Sequence, residues 1–277
     1  MRRLPRPPYA VRDVIGLCVQ SITDADLAGR LADVEDKVAN AETQYIQNGS
    51  NEALFSIAPT ASVGGVTVDD MKRVYKGTFA KSRRTRPIYD KIKKLPANDI
   101  CPMCGQRTVA TIDHYLPQSL HAALAVTPAN LLPSCADCNK AKLNAQPRNV
   151  EEQTLHPYFD TVDDGIWLHA RVEERMPAAL LFFSDPPDVW PEAKQARVHL
   201  HFVTFGLGAL YASHSAVELN NIRYGLQRIA ERGAADDIRA ELSRRAESSK
   251  AAQINSWQTA MYCAVAASDW FCRGGYN

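Results

Sequence analysis

Apolar residues recur at helical spacing near the start of the chain. One helix is predicted after Asp24, a typical N-cap residue, and the pattern ends near Gly49. Its apolar face comprises Leu27, Leu31, Val34 and Val38. Residues 59–67 carry Pro, Gly, Ser and Val without a helical period, which predicts a loop.

The last part of the chain is predicted to contain strands followed by helices. Residues 157–190 alternate apolar and polar positions between prolines, which is typical of one or two strands with loops. Residues 192–272 predict three or four packed helices, with breaks at Gly206 and Gly233. An uncharged window, residues 198–217, contains three histidines, so we expect a buried helix there and not a membrane span.

The segment 71–94 combines an apolar helical face with a high positive charge. The apolar face comprises Met71, Val74, Tyr75 and Phe79, and Pro87 and Pro96 bracket a second helical piece. The segment holds ten Lys and Arg residues against Asp90, whereas the whole chain has a net charge of only +1. Such a concentration either attracts an anionic polymer such as nucleic acid or forms a solvated helix face.

Four of the seven cysteines form two C-x-x-C pairs, which are Cys101, Cys104, Cys135 and Cys138. No secretory signal is apparent, so this spacing predicts a metal site in a reducing cytoplasm and not disulfides. Four thiolates make a closed tetrahedral set, which indicates a structural zinc ion. Gly105 is suited to the positive φ of a zinc knuckle. Cys18, Cys263 and Cys272 lack such spacing and are expected to be core residues.

Between the two cysteine pairs, a β-prone run ends in Asp113–His114, whose side chains should point to opposite sides of a strand. A carboxylate can bind a hard divalent cation while a neutral imidazole removes a proton from water. Asn139 directly follows Cys138, so a zinc cluster would fix an oxygen donor relative to Asp113. Lys140 and Lys142 would then be placed to meet phosphate.

This ordered combination resembles the HNH endonuclease family, in the version with a four-cysteine zinc site. The resemblance covers about residues 98–145. It implies a ββα-metal fold with His114 as general base and Asn130 as the residue that pins the hairpin loop and orients His114. It further implies that Asp113 and Asn139 bind a catalytic Mg²⁺ or Mn²⁺ ion. Many members carry His at the position of Asn139, and this chain is similar to the subgroup with asparagine.

Two groups of residues beside the core each have alternative interpretations. His156, in the run Leu155–Asp160, is either a metal ligand or phosphate contact or part of a packed turn. Arg83, Arg84 and Arg86 precede the core and either follow a phosphate backbone or lie on an exposed helix face.

The sequence therefore predicts an α+β, mostly α-helical protein with a central zinc-stabilised HNH core. Residues 1–96 form an N-terminal helical region, 97–150 the core, and 151–277 a strand and loop segment followed by helices. The resemblance implies hydrolysis of DNA to 5′-phosphate and 3′-hydroxyl products. The alternative is a non-catalytic zinc-stabilised module that binds nucleic acid or protein.

The longer stretch from Asp113 to Asp160 is similar to HNH proteins that accompany ATPases in bacterial anti-phage systems such as Septu. This similarity implies an ATPase partner subunit. No nucleotide-binding glycine-rich signature is found in the sequence, so an energy-dependent step would require that second protein.

Overall fold

The computed structural model describes residues 1–142, 144 and 146–277. These residues form two compact units, Met1–Asp160 and Thr161–Asn277, called unit 1 and unit 2 below. The N-terminal helices and the cysteine-rich segment thus share one unit. The finer division predicted from the sequence, with boundaries after residues 96 and 150, stays a prediction.

Unit 1 contains six α-helices, a π-helix and two β-hairpins among its described residues. The helices are α1 (Val11–Val19), α2 (Ala25–Asp33), α3 (Glu35–Ser50), α4 (Val68–Arg73), α5 (Arg86–Lys93) and α6 (Ala136–Lys142), and the π-helix is Val74–Phe79. The strands are β1 (Ser62–Val63), β2 (Val66–Thr67), β3 (Thr111–His114) and β4 (Leu131–Ser134). Short 3₁₀ turns lie at Leu54–Ser56, Ala97–Asp99, Ala122–Leu124 and Pro128–Asn130.

The predicted first helix is confirmed in outline, but it is divided in two. The Asp24 side chain accepts a hydrogen bond of 3.2 Å from the Leu27 N–H, as an N-cap should. The helix is interrupted at Val34, whose φ of −105° and ψ of 4° are not helical. Val34 and Val38 are nevertheless both buried, because the break keeps the apolar face in phase.

The predicted loop 59–67 is partly a hairpin, since β1 and β2 pair as antiparallel strands. Each strand has two residues, too few to produce an alternating pattern. The hairpin leads into α4, where Thr67 and Asp70 form a capping box. The predicted apolar face of the basic segment is confirmed, because Met71, Val74, Tyr75 and Phe79 are all buried.

The centre of unit 1 is the antiparallel pair β3–β4, followed by α6. His114 lies opposite Leu131 and Asp113 opposite Leu132. Ile112 and Leu131 of this hairpin belong to the same hydrophobic cluster as side chains of the N-terminal helices. The N-terminal helices therefore pack directly on the hairpin that carries the candidate site.

Unit 2 consists of one antiparallel hairpin and four α-helices in its described structure. The strands are β5 (Leu168–Glu173) and β6 (Ala179–Ser184), and the helices are α7 (Glu192–Thr204), α8 (Leu207–Ala230), α9 (Ala235–Ala252) and α10 (Trp257–Ala267), followed by a short π-helix, Phe271–Gly275. The predicted breaks are confirmed, and Gly206 adopts a φ of +59°.

Two further expectations about unit 2 are decided by the structure. None of the helices in the described part of the chain is long and apolar enough to cross a membrane. The prediction that Cys263 is a core residue is wrong, because its side chain is exposed, whereas Cys18 and Cys272 are buried. Cys263 lies on the outer face of α10, so its helical position and not its residue type decides its exposure.

Candidate active site

The four paired cysteines come together as the sequence predicts. Their sulfur atoms all lie within 4.8 Å of one another and all four residues are buried. The first pair belongs to a turn before β3, and the second pair spans the junction of β4 and α6. Sulfurs about 2.3 Å from a tetrahedral zinc ion lie about 3.8 Å apart, which is compatible with this clustering.

The backbone around the cluster is arranged to stabilise thiolates. The Arg107 N–H donates to Cys104 Sγ and the Cys138 N–H donates to Cys135 Sγ, each at 3.4 Å. Gly105 adopts a φ of +64°, as the knuckle sequence predicts. These observations fit a structural zinc ion, and within the described chain the four cysteines are a group that could hold a metal ion.

His114 ends β3 with its imidazole held by a backbone carbonyl group. Its Nε2 lies 2.8 Å from the carbonyl oxygen of Ala125. A carbonyl oxygen can only accept, so Nε2 carries the proton and the lone pair of a neutral ring is on Nδ1. Burial lowers the pKa of His114 to about 4, so the ring is neutral at pH 7. This tautomer is the one that a general base acting through Nδ1 requires.

Asn130 pins the loop that provides this carbonyl group. It is fully buried, and its Oδ1 accepts from the Leu116 N–H at 2.8 Å. Its Nδ2 donates to the carbonyl groups of Leu116 at 3.0 Å and Leu124 at 3.1 Å. Leu124 directly precedes Ala125, so Asn130 fixes the backbone that orients His114. This geometry agrees with the role that the family resemblance implies for Asn130.

The Asp113 carboxylate lies beside a buried lysine. Its Oδ1 accepts from the His114 N–H at 2.8 Å, and its Oδ2 is 3.5 Å from Lys142 Nζ. The Lys142 ammonium also donates to the carbonyl groups of His114 at 2.7 Å and Tyr115 at 2.9 Å. Burial raises the pKa of Asp113 and lowers that of Lys142, while each charge opposes the shift of the other.

Contrary to the prediction from the sequence, the structure thus does not place Lys142 where it would contact phosphate. Its side chain is only 7% exposed, and it ties α6 to the end of β3. Lys140, by contrast, lines the cavity described next.

A cavity of about 240 Å³ collects most of the predicted catalytic residues. Its lining comprises Tyr75, Ile112, Asp113, His114, Pro117, Gln118, Asn139, Lys140 and Asn144. Asp113 and His114 therefore line the same cavity, although neighbouring strand residues usually point to opposite faces. The carboxylate of Asp113 and the amide oxygen of Asn139 are the hard oxygen donors that Mg²⁺ or Mn²⁺ prefers.

Gln118 adds an observation that favours a cation in this cavity. Its Oε1 is buried and has no hydrogen-bond partner within the described structure. A buried acceptor without a donor is costly, and a bound cation or its water shell would satisfy it. The donor set of the cavity therefore fits a divalent metal ion.

His156 lies in the hydrophobic interior and not in the lining of this cavity. It is 1% exposed, and its Nδ1 accepts from the Tyr158 N–H at 3.1 Å while its Nε2 lies 3.1 Å from the Tyr45 hydroxyl. Its ring also contacts Tyr115 and Phe159. The structure thus places His156 in the packed turn, with both ring nitrogens engaged.

The basic residues before the core lie on the surface of unit 1. Arg83 and Arg84 are exposed. Arg86 is also exposed, but its guanidinium is bound to Asp90 at 2.8 Å and to the Ala80 carbonyl group at 3.1 Å. A groove of about 490 Å³ lies on the outer side of the same segment, and its lining comprises Asp69, Lys72, Arg73, Lys76, Gly77 and Lys81.

Residues 101–145 match the family model of the HNH endonucleases, which confirms the resemblance seen in the sequence. Over 235 residues the chain is 26% identical to protein ea31 of Escherichia phage lambda, a match that covers 80% of this chain and 79% of ea31. That similarity extends far beyond the segment matched by the family model. No solved structure matches the chain.

Proposed function

We propose that this protein is a metal-dependent HNH endonuclease that hydrolyses phosphodiester bonds in DNA, with His114 as the general base. The observation that carries the proposal is the hydrogen bond between His114 Nε2 and the Ala125 carbonyl group. It directs the basic Nδ1 of a neutral imidazole, and His114 lines a cavity that also holds hard oxygen ligands. A binding module needs neither feature.

In the proposed reaction, a water molecule attacks the phosphorus atom and His114 Nδ1 takes one of its protons. The bond between phosphorus and the 3′-oxygen breaks, and that oxygen takes a proton from solvent. The products carry a 5′-phosphate and a 3′-hydroxyl group, as in the family. Asn130 contributes by holding the 124–125 backbone that orients the imidazole.

Asp113 and Asn139 would hold the catalytic Mg²⁺ or Mn²⁺ ion. When bound, this ion would supply positive charge that stabilises the transition state and the departing oxygen. The four clustered cysteines would hold a structural zinc ion, which fixes α6 and therefore Asn139 relative to β3. Lys142 supports the same alignment through its hydrogen bonds to the end of β3.

Arg83, Arg84 and Lys140 are proposed to contact the phosphate backbone. Replacing Arg83 and Arg84 together by Ala should weaken DNA binding and reduce the slope of log affinity against log salt by about 2. The control is Arg148→Ala, an exposed arginine paired with Glu152, which should leave the slope unchanged. An unchanged slope in the double variant would place the DNA elsewhere.

The decisive experiment is plasmid cleavage by the purified protein with Mg²⁺, Mn²⁺ or EDTA. His114→Ala should abolish metal-dependent cleavage while the zinc content and the circular dichroism spectrum stay unchanged. His199→Ala, which removes an exposed histidine of unit 2, should cleave like the wild type. Full activity in folded His114→Ala would refute the assignment of the base.

We further propose that the protein acts as the effector subunit of a bacterial anti-phage system with an ATPase partner. The support is the sequence similarity of the stretch from Asp113 to Asp160 to such proteins. Co-purification with an ATPase from a host that carries both genes, and stimulation of cleavage by that ATPase, would test it. Full cleavage by the isolated chain without stimulation would argue for a free-standing enzyme.

A further inference from the structure

Tyr75 lies outside the segment that matches the HNH family, yet it lines the catalytic cavity. It belongs to the π-helix that continues α4, and the Ala80 N–H donates to the Tyr75 carbonyl group at 2.9 Å, five residues back. Single π-turns within helices occur frequently at functional sites, because they change the direction of the side chains. Here the turn belongs to the N-terminal region of unit 1.

The Tyr75 ring meets the imidazole of His114. The two ring centroids are 4.5 Å apart with an interplanar angle of 66°, an edge-on arrangement. The Ala125 carbonyl group fixes the direction of the His114 Nε2–H bond, but a single hydrogen bond leaves the ring free to rotate about it. The contact with Tyr75 removes that freedom, so the two interactions together define the position of Nδ1.

The hydroxyl group of Tyr75 has no hydrogen-bond partner among the described residues of the protein. Burial raises the pKa of Tyr75 well above its ordinary value, so the group stays protonated and is a hydrogen-bond donor. Tyr75 shares the cavity lining with His114, Asn139 and Lys140. An anionic substrate group in this cavity would accept a hydrogen bond from this hydroxyl group.

We propose that Tyr75 is a catalytic residue whose hydroxyl donates a hydrogen bond to a non-bridging oxygen of the scissile phosphate while its ring positions His114. The inference rests on the proposed nuclease function and assigns part of the catalytic cavity to the N-terminal region. A donor aimed at developing negative charge stabilises the transition state more than the bound substrate. Loss of the hydroxyl should therefore lower kcat and leave KM nearly unchanged.

Two variants separate the hydroxyl from the ring. Tyr75→Phe keeps the contact with His114 and should lower kcat about 100- to 1,000-fold, the effect typical of one lost donor. Tyr75→Leu also removes the ring and should lower kcat by about a further tenfold, since the base is no longer held in position. Tyr89→Phe is the matched control, because this half-buried tyrosine of the same basic segment lies outside the cavity lining.

Tyr75→Phe decides the proposal, because it preserves the buried ring and the fold even if Tyr75→Leu does not fold. A kcat for Tyr75→Phe within twofold of the wild type would overturn the proposal, as would an equal decrease in Tyr89→Phe. If the wild type cleaves and His114→Ala does not, such a result refutes the role of Tyr75 alone. If neither wild type nor His114→Ala cleaves with any metal ion, either alone or with the proposed ATPase partner, the proposed function fails, and the role of Tyr75 with it.

Discussion

Replacing the buried Asn130 tests how the candidate active site is held in place. Its side-chain amide makes three hydrogen bonds of 2.8 to 3.1 Å with the backbone of Leu116 and Leu124. Asn130→Ala removes all three and leaves one N–H and two carbonyl groups without their partners. Because Asn130 is 0% exposed, solvent does not replace these bonds unless the loop opens.

The size of the effect follows from these contacts. Each hydrogen bond contributes about 1 kcal/mol, and a buried polar group left unpaired costs about 1–3 kcal/mol. We therefore expect Asn130→Ala to lower the free energy of unfolding of unit 1 by about 3–4 kcal/mol. The loop also supplies the Ala125 carbonyl group, so the base loses its orientation and kcat should fall about 100-fold.

Unit 2 offers a matched control in Asn255, another buried asparagine that pins backbone groups. Its Oδ1 accepts from the Trp167 N–H at 2.9 Å, and its Nδ2 donates to the carbonyl groups of Val162 and Gly165 at 3.0 and 2.9 Å. All four tryptophans lie in unit 2, so tryptophan fluorescence in urea reports its unfolding. Hydrogen exchange of peptides from the β3–β4 hairpin reports that of unit 1.

Asn130→Ala should shift the hydrogen-exchange transition and lower kcat, whereas Asn255→Ala should shift the fluorescence transition and leave kcat unchanged. A loss of less than about 1 kcal/mol in Asn130→Ala would show that these hydrogen bonds do not hold the loop. A large loss of stability with an unchanged kcat would refute the connection between Asn130 and His114.

Two further predictions concern the ion pairs and the thiols. The guanidinium group of Arg30, and to a lesser extent that of Arg73, holds the pKa of Asp70 below its ordinary value. The two ion pairs therefore stabilise the fold above about pH 4, and this contribution decreases as the pH falls further. Asp70→Asn should therefore lower the free energy of unfolding at pH 7 by about 1–2 kcal/mol, and its difference from the wild type should become smaller in acid. Asp69→Asn, which changes an exposed residue, should have little effect. Equal melting temperatures for the wild type and both variants would contradict this prediction. A thiol reagent should modify exposed Cys263 in the native protein and four further thiols after zinc is chelated, and immediate modification of all five would argue against bound zinc.

Much of the fold follows from patterns that burial imposes on the sequence. The N-cap at Asp24 and the break at Gly206 were predictable, because each depends on the residue type at one position. The interruption at Val34 was not, since the residue remains buried and the apolar period continues across it. A periodic pattern reports which face is buried, and it does not report whether each hydrogen bond of the helix is made.

The candidate site likewise combines features that the sequence predicts with features that only the structure shows. Cysteine spacing predicts the cluster, because four thiolates at short separations have few other uses. By contrast, Tyr75 occupies an apolar position of an amphipathic helix, as Phe79 does, and both are buried. Only the packing of that helix on β3 shows that Tyr75 reaches His114. The burial of Lys142 likewise depends on backbone carbonyl groups contributed by another element.

The shared hydrophobic core explains why the N-terminal region belongs to the functional unit. The segment 101–145 that matches the family is too short to bury a sizeable core, and units of about 40 residues usually need metals or added structure. Ile112 and Leu131 of the hairpin accordingly pack in one cluster with side chains of α1 to α5. The same packing that completes this core brings Tyr75 to His114. Stability and the shape of the cavity beside His114 thus depend on one interface, so under the proposed function a change that loosens the N-terminal helices should also reduce cleavage.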